Sequence, residues 1–173
     1  MGWAEPKLSH IYTMASVMPK YVKSKYSNVK KAFVIGMSSM REQVEAHGIK
    51  VVGADQHIID PREIMTEVKY DNYELDPMID AVIFGLDSEL THQKICLASL
   101  YIQERGVPLI VANGDKLALI NGLYMPGSGS VLQAILIATG LKEGSQAGST
   151  SLDEPGTFDI IGKPNPFSFN LIK

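Results

Sequence analysis

The sequence predicts an α/β fold in which helices cover both faces of a mainly parallel sheet, and three observations carry this prediction. Short apolar runs over 31–37, 80–87 and 107–113 are typical of strands buried on both faces. Helix-like segments alternate with these runs, which favours parallel strands joined by helical crossovers. Capping residues and glycines also lie where the helical segments should begin and end. The expected fold class is therefore a three-layer α/β sandwich.

Local signals at the segment ends define the expected elements. Thr91 is placed to cap a helix that stops at Gly106, because threonine accepts a backbone N–H and glycine tolerates a left-handed conformation. Ser39 and Glu42 have capping-box spacing and open another helix, while Pro19 interrupts or kinks the first one. In chain order, the expected elements are helix 13–25, strand 31–37, a helix from Ser39 to Gly48, strand 49–53, strand 80–87, helix 92–105, strand 107–113, helix 129–140 and strand 157–162. Residues 54–79 are expected to be loop and short helix, and 142–156 an exposed loop.

Composition excludes several classes of protein. The chain has 173 residues, 45% of them apolar and 20% charged, with a formal net charge of −3, as expected of one globular domain. The basic residues are dispersed, so nucleic acid is not an expected partner. No apolar run approaches the roughly 20 residues needed to span a bilayer, and the start "MGWAEPKLSH" does not resemble a signal peptide. The single cysteine, Cys96, excludes an internal disulfide and fits a cytoplasmic protein.

Two stretches place polar groups after strands, where α/β proteins position ligands. Asn113 and Asp115 follow the strand 107–113, although the same pattern is typical of an Asx turn. Lys163 lies between Gly162 and Pro164 after the final strand, and a lysine held in this way can present its ammonium to a phosphoryl group. The alternative interpretation of Lys163 is an exposed lysine in a turn.

Two weaker patterns have alternative structural explanations. The glycine turn "PGSGS" at 126–130 precedes a helix whose backbone N–H groups could hold an anion, but it lacks the remainder of any nucleotide-binding motif. His92 and Cys96 have metal-ligand spacing on one helix face, but no second pair completes a site, so no metal ligands are predicted.

Four segments in order resemble one protein family. They are "VKKAFVIGMSSMREQVEAHGI", "DAVIFGLDSELTHQKICLASLYIQERGVPLIVANGD", "PGSGSVLQAILIATG" and "IIGKPNPFSF". Together they resemble the haloacid dehalogenase-superfamily phosphatases, in the group of 4-nitrophenylphosphatase, phosphoglycolate, pyridoxal phosphate and NagD-like phosphatases. The resemblance covers about residues 10–173 and identifies mainly the cap, an α/β domain inserted into the catalytic core of those enzymes.

The resemblance implies a covalent mechanism for the intact family enzyme. An aspartate attacks phosphorus, a second aspartate two residues later acts as acid and base, and Mg²⁺ neutralises charge. A lysine stabilises the negative charge on the nucleophile and the phosphoryl group, and this lysine matches Lys163. Asn113 and Asp115 match a substrate-binding pattern on the cap, Thr-Asn-x-Asp, with Ala112 in place of the usual threonine.

The sequence departs from the family at the nucleophile. No two of its aspartates are separated by one position, so it contains no D-x-D motif. The expected organisation is a lead-in from the core at 1–12, the cap at 13–160 and the start of the returning core at 161–173. We expect the chain alone, whether truncated, proteolysed or encoded at this length, to hydrolyse no phosphomonoester and to bind no Mg²⁺.

Two other functions remain open. The chain could be a core-less cap that serves as a binding or oligomerisation module, or an unrelated α/β nucleotide-binding domain that uses the turn at 127–130. The partners expected for the intact enzyme are a small phosphorylated metabolite and, through the cap, further copies of itself. Self-association is expected to use apolar residues that a core would otherwise cover. These residues are Met14, Val17, Met18, Phe167 and Phe169.

Overall fold

The computed structural model describes residues 5, 7, 10–53, 75–141, 158–163 and 165–171. Most of the segment 54–79 and the predicted loop 142–156 lie outside these residues. The elements in chain order are α1 (Met14–Lys25), β1 (Lys31–Ile35), α2 (Ser38–Ala46), β2 (Lys50–Val52), β3 (Ala81–Phe84), α3 (His92–Arg105), β4 (Leu109–Val111), β5 (Leu117–Ile120), β6 (Leu123–Pro126), α4 (Ser128–Thr139), β7 (Asp159–Ile160) and α5 (Phe167–Asn170).

The main sheet confirms the predicted α/β class. Its five strands lie in the order β2-β1-β3-β4-β7, and every neighbouring pair is parallel. All four residues of β3 are buried, which explains why its sequence is uniformly apolar rather than alternating. β7 lies at one edge of this sheet and pairs with β4 over only two residues, Asp159 opposite Ile110 and Ile160 opposite Val111.

Two helical layers enclose the sheet. On one face, Met18 and Val22 of α1 pack with Met40 and Val44 of α2. On the other face, the core is formed by side chains from α3 and α4 together with those of the strands. These include Leu97, Ala98, Tyr101, Leu132 and Ile135. The sheet between them makes the described part of the chain a three-layer sandwich, in which both faces of the strands avoid water.

The helix ends agree with the predictions in one case and contradict them in another. The Thr91 side chain accepts a hydrogen bond from the Lys94 N–H, and α3 ends at Gly106 with φ of 63°. The capping box predicted at Ser39 is wrong, because α2 begins at Ser38 with Met37 as its N-cap and without a side-chain cap. A capping box does occur at α1, between Thr13 and Ser16.

A two-stranded hairpin follows β4, and the sequence interpretation did not predict it. β5 and β6 pair antiparallel, with Ile120 opposite Leu123. Asn121 and Gly122 connect them with φ of 51° and 78°, so both turn residues are left-handed. An Asn-Gly pair between two apolar runs is a strong hairpin signal, because those residues tolerate positive φ. The signal was present in "LALINGLYMP".

The hairpin exposes its apolar side chains. Leu119, Leu123 and Tyr124 are 67%, 63% and 73% exposed, and no charged residue interrupts the sequence from 117 to 126. The residues expected to form an exposed apolar surface behave differently. Val17 and Met18 are completely buried, Met14 and Phe167 are partly buried against the same core, and only Phe169 is largely exposed. That expectation was wrong for Val17 and Met18, because the fold leaves neither side chain exposed.

Candidate functional site

The loop after β4 carries two of the predicted site residues. The Asn113 side-chain N–H donates to the Asp115 carboxylate at 2.9 Å, and the Asp115 backbone N–H donates to the Asn113 side-chain oxygen at 2.6 Å. This reciprocal pair is an Asx turn, in which the side chain of Asn113 replaces a turn of backbone. Asn113 is half-buried and Asp115 is exposed. The loop is therefore ordered by its own polar groups and presents the Asp115 carboxylate to solvent.

Lys163 lies in a second loop that packs against the first. The buried Gly162 approaches the end of β4 so closely that an added Cβ would lie 2.7 Å from the Ala112 carbonyl oxygen and 3.3 Å from the Cα of Asn113. Only glycine permits this approach. The structure thus brings together the two segments that carry the predicted site residues. Lys163 itself is exposed, and it forms no ion pair with any residue that the structure describes.

Asn165 holds the turn around Lys163, and the sequence interpretation did not identify it. Its backbone N–H donates to the Gly162 carbonyl at 2.9 Å, which closes the turn. Its buried side chain donates to the Ile160 carbonyl and accepts from the Phe167 N–H, both at 2.9 Å. A buried amide with both functions paired stabilises one backbone path. The spacing in "GKPNP" does not distinguish this role from that of an exposed turn residue.

The start of α4 binds the Asn113–Asp115 loop. The N–H groups of Gly127 and Gly129 donate to the carbonyls of Lys116 and Asp115, at 2.8 and 2.9 Å. The Ser128 hydroxyl donates to the Asn113 carbonyl at 2.9 Å, and the Ser130 hydroxyl donates to the Lys116 carbonyl. These donors are thus occupied by protein carbonyls, which supports a structural role for the glycine turn and weakens the nucleotide-binding alternative.

Asp87, which follows the neighbouring strand β3, is also paired. It forms an ion pair with Lys94 at 2.8 Å and accepts the Glu89 N–H at 2.9 Å. Among the described residues, no three His, Cys, Asp or Glu side chains come together in a way that could hold a metal ion. These residues therefore do not fit a Mg²⁺ site.

His92 and Cys96 contact each other on α3. The Cys96 sulfur lies 3.5 Å from the His92 Nδ1 atom, as expected for residues four apart on a helix. Burial raises the pKa of the Cys96 thiol above its usual value, which disfavours the reactive thiolate. The pair has the character of a packed surface contact.

Curated proteins similar in sequence are phosphatases. The chain is 29% identical to the 4-nitrophenylphosphatase of Schizosaccharomyces pombe over 136 residues, which are 78% of this chain and 45% of that protein. It is also 29% identical to the human glycerol-3-phosphate phosphatase over 145 residues, 82% of this chain and 39% of that protein. The resemblance to the haloacid dehalogenase-superfamily phosphatases is confirmed. The chain spans less than half the length of these two relatives. No protein-family model matches it.

Solved structures agree in fold. A hypothetical protein from Pyrococcus horikoshii superposes with a TM-score of 0.69 and 26% identity, over 97% of this chain and 52% of that one. A putative p-nitrophenyl phosphatase from Bacillus subtilis superposes with a TM-score of 0.68 and 18% identity, over 96% of this chain and 49% of that one. In the described residues, no helix is long and apolar enough to cross a membrane.

Proposed function

We propose that this chain is the cap of a phosphomonoester hydrolase of the haloacid dehalogenase superfamily, and that Lys163 contributes a positive charge to the phosphoryl site of that enzyme. The observation that carries the proposal is the close packing of Gly162 on Ala112 and Asn113, which places the Lys163 turn beside the Asn113–Asp115 loop. Similarity to phosphatases over 78% and 82% of the chain supports the same assignment.

The roles of the three residues follow from their chemistry. The Lys163 side chain is exposed in a turn that the Asn165 N–H closes onto the Gly162 carbonyl, and its ammonium can approach an anionic group without disturbing a structural ion pair among the described residues. Asn113 and Asp115 present polar atoms from the adjacent loop and would contact the organic part of a small phosphorylated metabolite. The names of the relatives make 4-nitrophenyl phosphate and glycerol 3-phosphate the first substrates to test.

We assign no nucleophile and no Mg²⁺ ligand to this chain. No D-x-D motif occurs in the sequence, and the described residues offer no metal-binding group. Lys163 can stabilise a developing negative charge, but it cannot replace the carboxylate that attacks phosphorus. The chain alone is therefore expected to hydrolyse no phosphomonoester, and any Mg²⁺ used by the intact enzyme would be bound by other residues.

Turnover measurements test this proposal at two levels. The chain alone, incubated with 4-nitrophenyl phosphate and Mg²⁺, should release no more nitrophenol than buffer does. Hydrolysis that scales with protein, survives repurification and disappears in Lys163→Ala would contradict the expected inactivity. If the reading frame also encodes a D-x-D segment upstream, the longer product should be active, and Lys163→Ala should lower its kcat by about 10²- to 10³-fold. Lys116→Ala, in the neighbouring loop, is the matched control.

A second function, that of an oligomerisation module, is favoured by the exposed hairpin. Leu119 lies opposite Tyr124 in the hairpin, so these two side chains and that of Leu117 project from one face, where they form an exposed, uncharged apolar surface of a kind that monomers rarely leave in water. We infer that copies of the chain associate through β5 and β6. The same contact would serve the intact phosphatase, so the two functions are compatible.

Light scattering after size-exclusion chromatography tests this association. The unmodified chain should form a species larger than a monomer at high concentration, and Leu119→Glu should shift it to monomer without unfolding it. Phe169→Glu is the control, because Phe169 is also exposed but lies outside the hairpin. A monomer at every concentration would contradict the association. If only Phe169→Glu reduced the association, the contact would lie around Phe169 rather than in the hairpin.

A further inference from the structure

A mostly buried carboxylate, that of Asp159, lies four residues before Lys163 and has no role in the proposed chemistry. The Asp159 side chain is 11% exposed. It accepts hydrogen bonds from the Tyr21 hydroxyl at 3.0 Å and the Tyr26 hydroxyl at 2.6 Å. The Lys25 ammonium donates to both of its oxygens, at 2.9 and 2.8 Å. All three donors come from the last two turns of α1 or its C-cap, so one carboxylate joins β7 to the first helix.

This cluster, formed by Tyr21, Lys25, Tyr26 and Asp159, is closely packed. The Lys25 ammonium lies 6.0 Å from the centre of the Tyr21 ring and 5.6 Å from that of the Tyr26 ring. Burial, together with the neighbouring Asp159 carboxylate, raises the pKa of both tyrosines above the usual value, so their hydroxyls remain donors. A carboxylate held by three charged or hydroxyl donors has its acceptor positions satisfied, which fixes its orientation.

The strand that carries Asp159 needs such an anchor. β7 pairs with β4 over two residues only, and it lies at the edge of the described sheet. A ladder this short contributes few backbone hydrogen bonds and would fray readily by itself. The Ile161 N–H adds one more bond, to the Val111 carbonyl at 2.9 Å. The position of everything that follows β7 therefore depends on side-chain contacts as well as on the ladder.

The first helix also contacts the chain beyond Lys163. The rings of Tyr21 and Phe167 meet edge to face with centroids 5.0 Å apart. The Tyr12 hydroxyl donates to the Leu171 carbonyl at 3.1 Å. The first helix and Tyr12 therefore hold the Lys163 turn on both sides. Before Lys163 they contact Asp159, and after it they contact Phe167 and Leu171.

We propose that Asp159 is the positioning residue for Lys163, and that its hydrogen bonds to α1 determine where the lysine turn lies relative to the Asn113–Asp115 loop. The functional meaning of this position rests on the proposed role of Lys163, whereas the mechanical coupling does not. Tyr21 serves both arms of the turn, because it binds Asp159 through its hydroxyl and Phe167 through its ring.

Amide hydrogen exchange and amide chemical shifts of the full chain test the coupling by NMR. The amides of Ile161 and Asn165 report on β7 and on the lysine turn, and the Gly85 amide, bonded to the Ile35 carbonyl at 2.8 Å, is the reference. In Asp159→Asn, which keeps the shape of the side chain, exchange at Ile161 and Asn165 should accelerate about tenfold relative to Gly85. The amide signals of Gly162 and Lys163 should also shift.

Two further variants distinguish positioning from general destabilisation. Leu97→Ala removes a completely buried side chain from the opposite face of the sheet and should weaken the fold without accelerating exchange at Ile161 and Asn165 relative to Gly85. Tyr26→Phe removes only one hydroxyl and should produce a smaller change of the same kind, and it carries the test if Asp159→Asn does not fold.

The results decide the proposal without reference to catalysis. An unchanged exchange ratio in Tyr26→Phe and Asp159→Asn, or an equal change in Leu97→Ala, overturns it. Because no phosphorylated compound enters the measurement, a failure here leaves the phosphatase assignment standing. Conversely, a failure of the turnover tests leaves the coupling between α1 and the lysine turn unaffected.

Discussion

The strand β3 and the hairpin of β5 and β6 are both apolar in sequence, yet the fold treats them in opposite ways. β3 is completely buried between two helical layers. In β6, by contrast, all four residues are exposed. The two regions differ in their neighbours: β3 lies between β1 and β4 in the main sheet, whereas β5 and β6 pair with each other and with no other strand of the described residues.

An apolar run by itself therefore does not indicate whether a strand is buried or exposed. A buried strand loses contact with water within its own chain, so its apolar side chains stabilise the monomer. An exposed apolar hairpin contributes little in that way, and its side chains become useful only when another surface covers them. The same composition therefore indicates stability in one region and an interface in the other.

The largest effect that tests the comparison is the loss of a core side chain. Phe84→Ala in β3, where Phe84 is 1% exposed, should lower the free energy of unfolding by about 3–5 kcal/mol through the cavity it leaves. Leu123→Ala in the hairpin should change it by no more than about 0.5 kcal/mol. Urea denaturation at a concentration where the chain is monomeric measures both, and a comparable cost at Leu123 would contradict the contrast.

A smaller effect should arise where the start of α4 contacts the loop between β4 and the hairpin. An added Cβ at Gly129 would lie 2.0 Å from the Gly114 carbonyl oxygen, so Gly129→Ala must displace backbone and should cost about 1–3 kcal/mol. Gly122→Ala is the control: its φ of 78° is strained for alanine, but nothing lies within 4 Å. Its cost should be about 1 kcal/mol and confined to the turn. Thermal unfolding of both variants measures the difference in stability. Equal losses of stability in Gly129→Ala and Gly122→Ala would show that the backbone around Gly129 can relax.

The smallest effect concerns the tyrosines of the Asp159 cluster. Their pKa is raised in the folded chain above the ordinary value of 10.0, mainly by burial. Because the folded state favours the neutral hydroxyl, the contribution of the cluster is fully present below about pH 10 and is lost as the pH rises further. Tyr26→Phe should reduce this alkaline loss of stability by about 1 kcal/mol.

Urea midpoints measured between neutral and alkaline pH provide the check. Tyr124→Phe, in the exposed hairpin, leaves the cluster intact and should show the same alkaline loss as the unmodified chain. If Tyr26→Phe left the alkaline loss of stability unchanged, ionisation of groups other than Tyr26 would account for that loss.

Several features were predictable because they depend on local chemistry. The buried strands and the helix from Thr91 to Gly106 follow from short apolar runs, a side-chain cap and a left-handed glycine. The α2 start was predicted incorrectly, since Ser39 lies inside the helix and a favourable spacing does not ensure that the side chains are used. The hairpin was predictable from Asn121 and Gly122 but was overlooked.

By itself, the sequence determined the α/β class, the resemblance to phosphatases and the identity of Lys163, Asn113 and Asp115 as candidate site residues. The tertiary structure alone decided that Gly162 packs on the Asn113 loop, that the donors of α4 are used by that loop, and that Asp159 joins β7 to α1. The physical reason is distance along the chain. Caps and strands depend on neighbours a few residues away, whereas Asp159 meets Tyr26 across 133 positions, a contact that only the folded arrangement of the sheet creates.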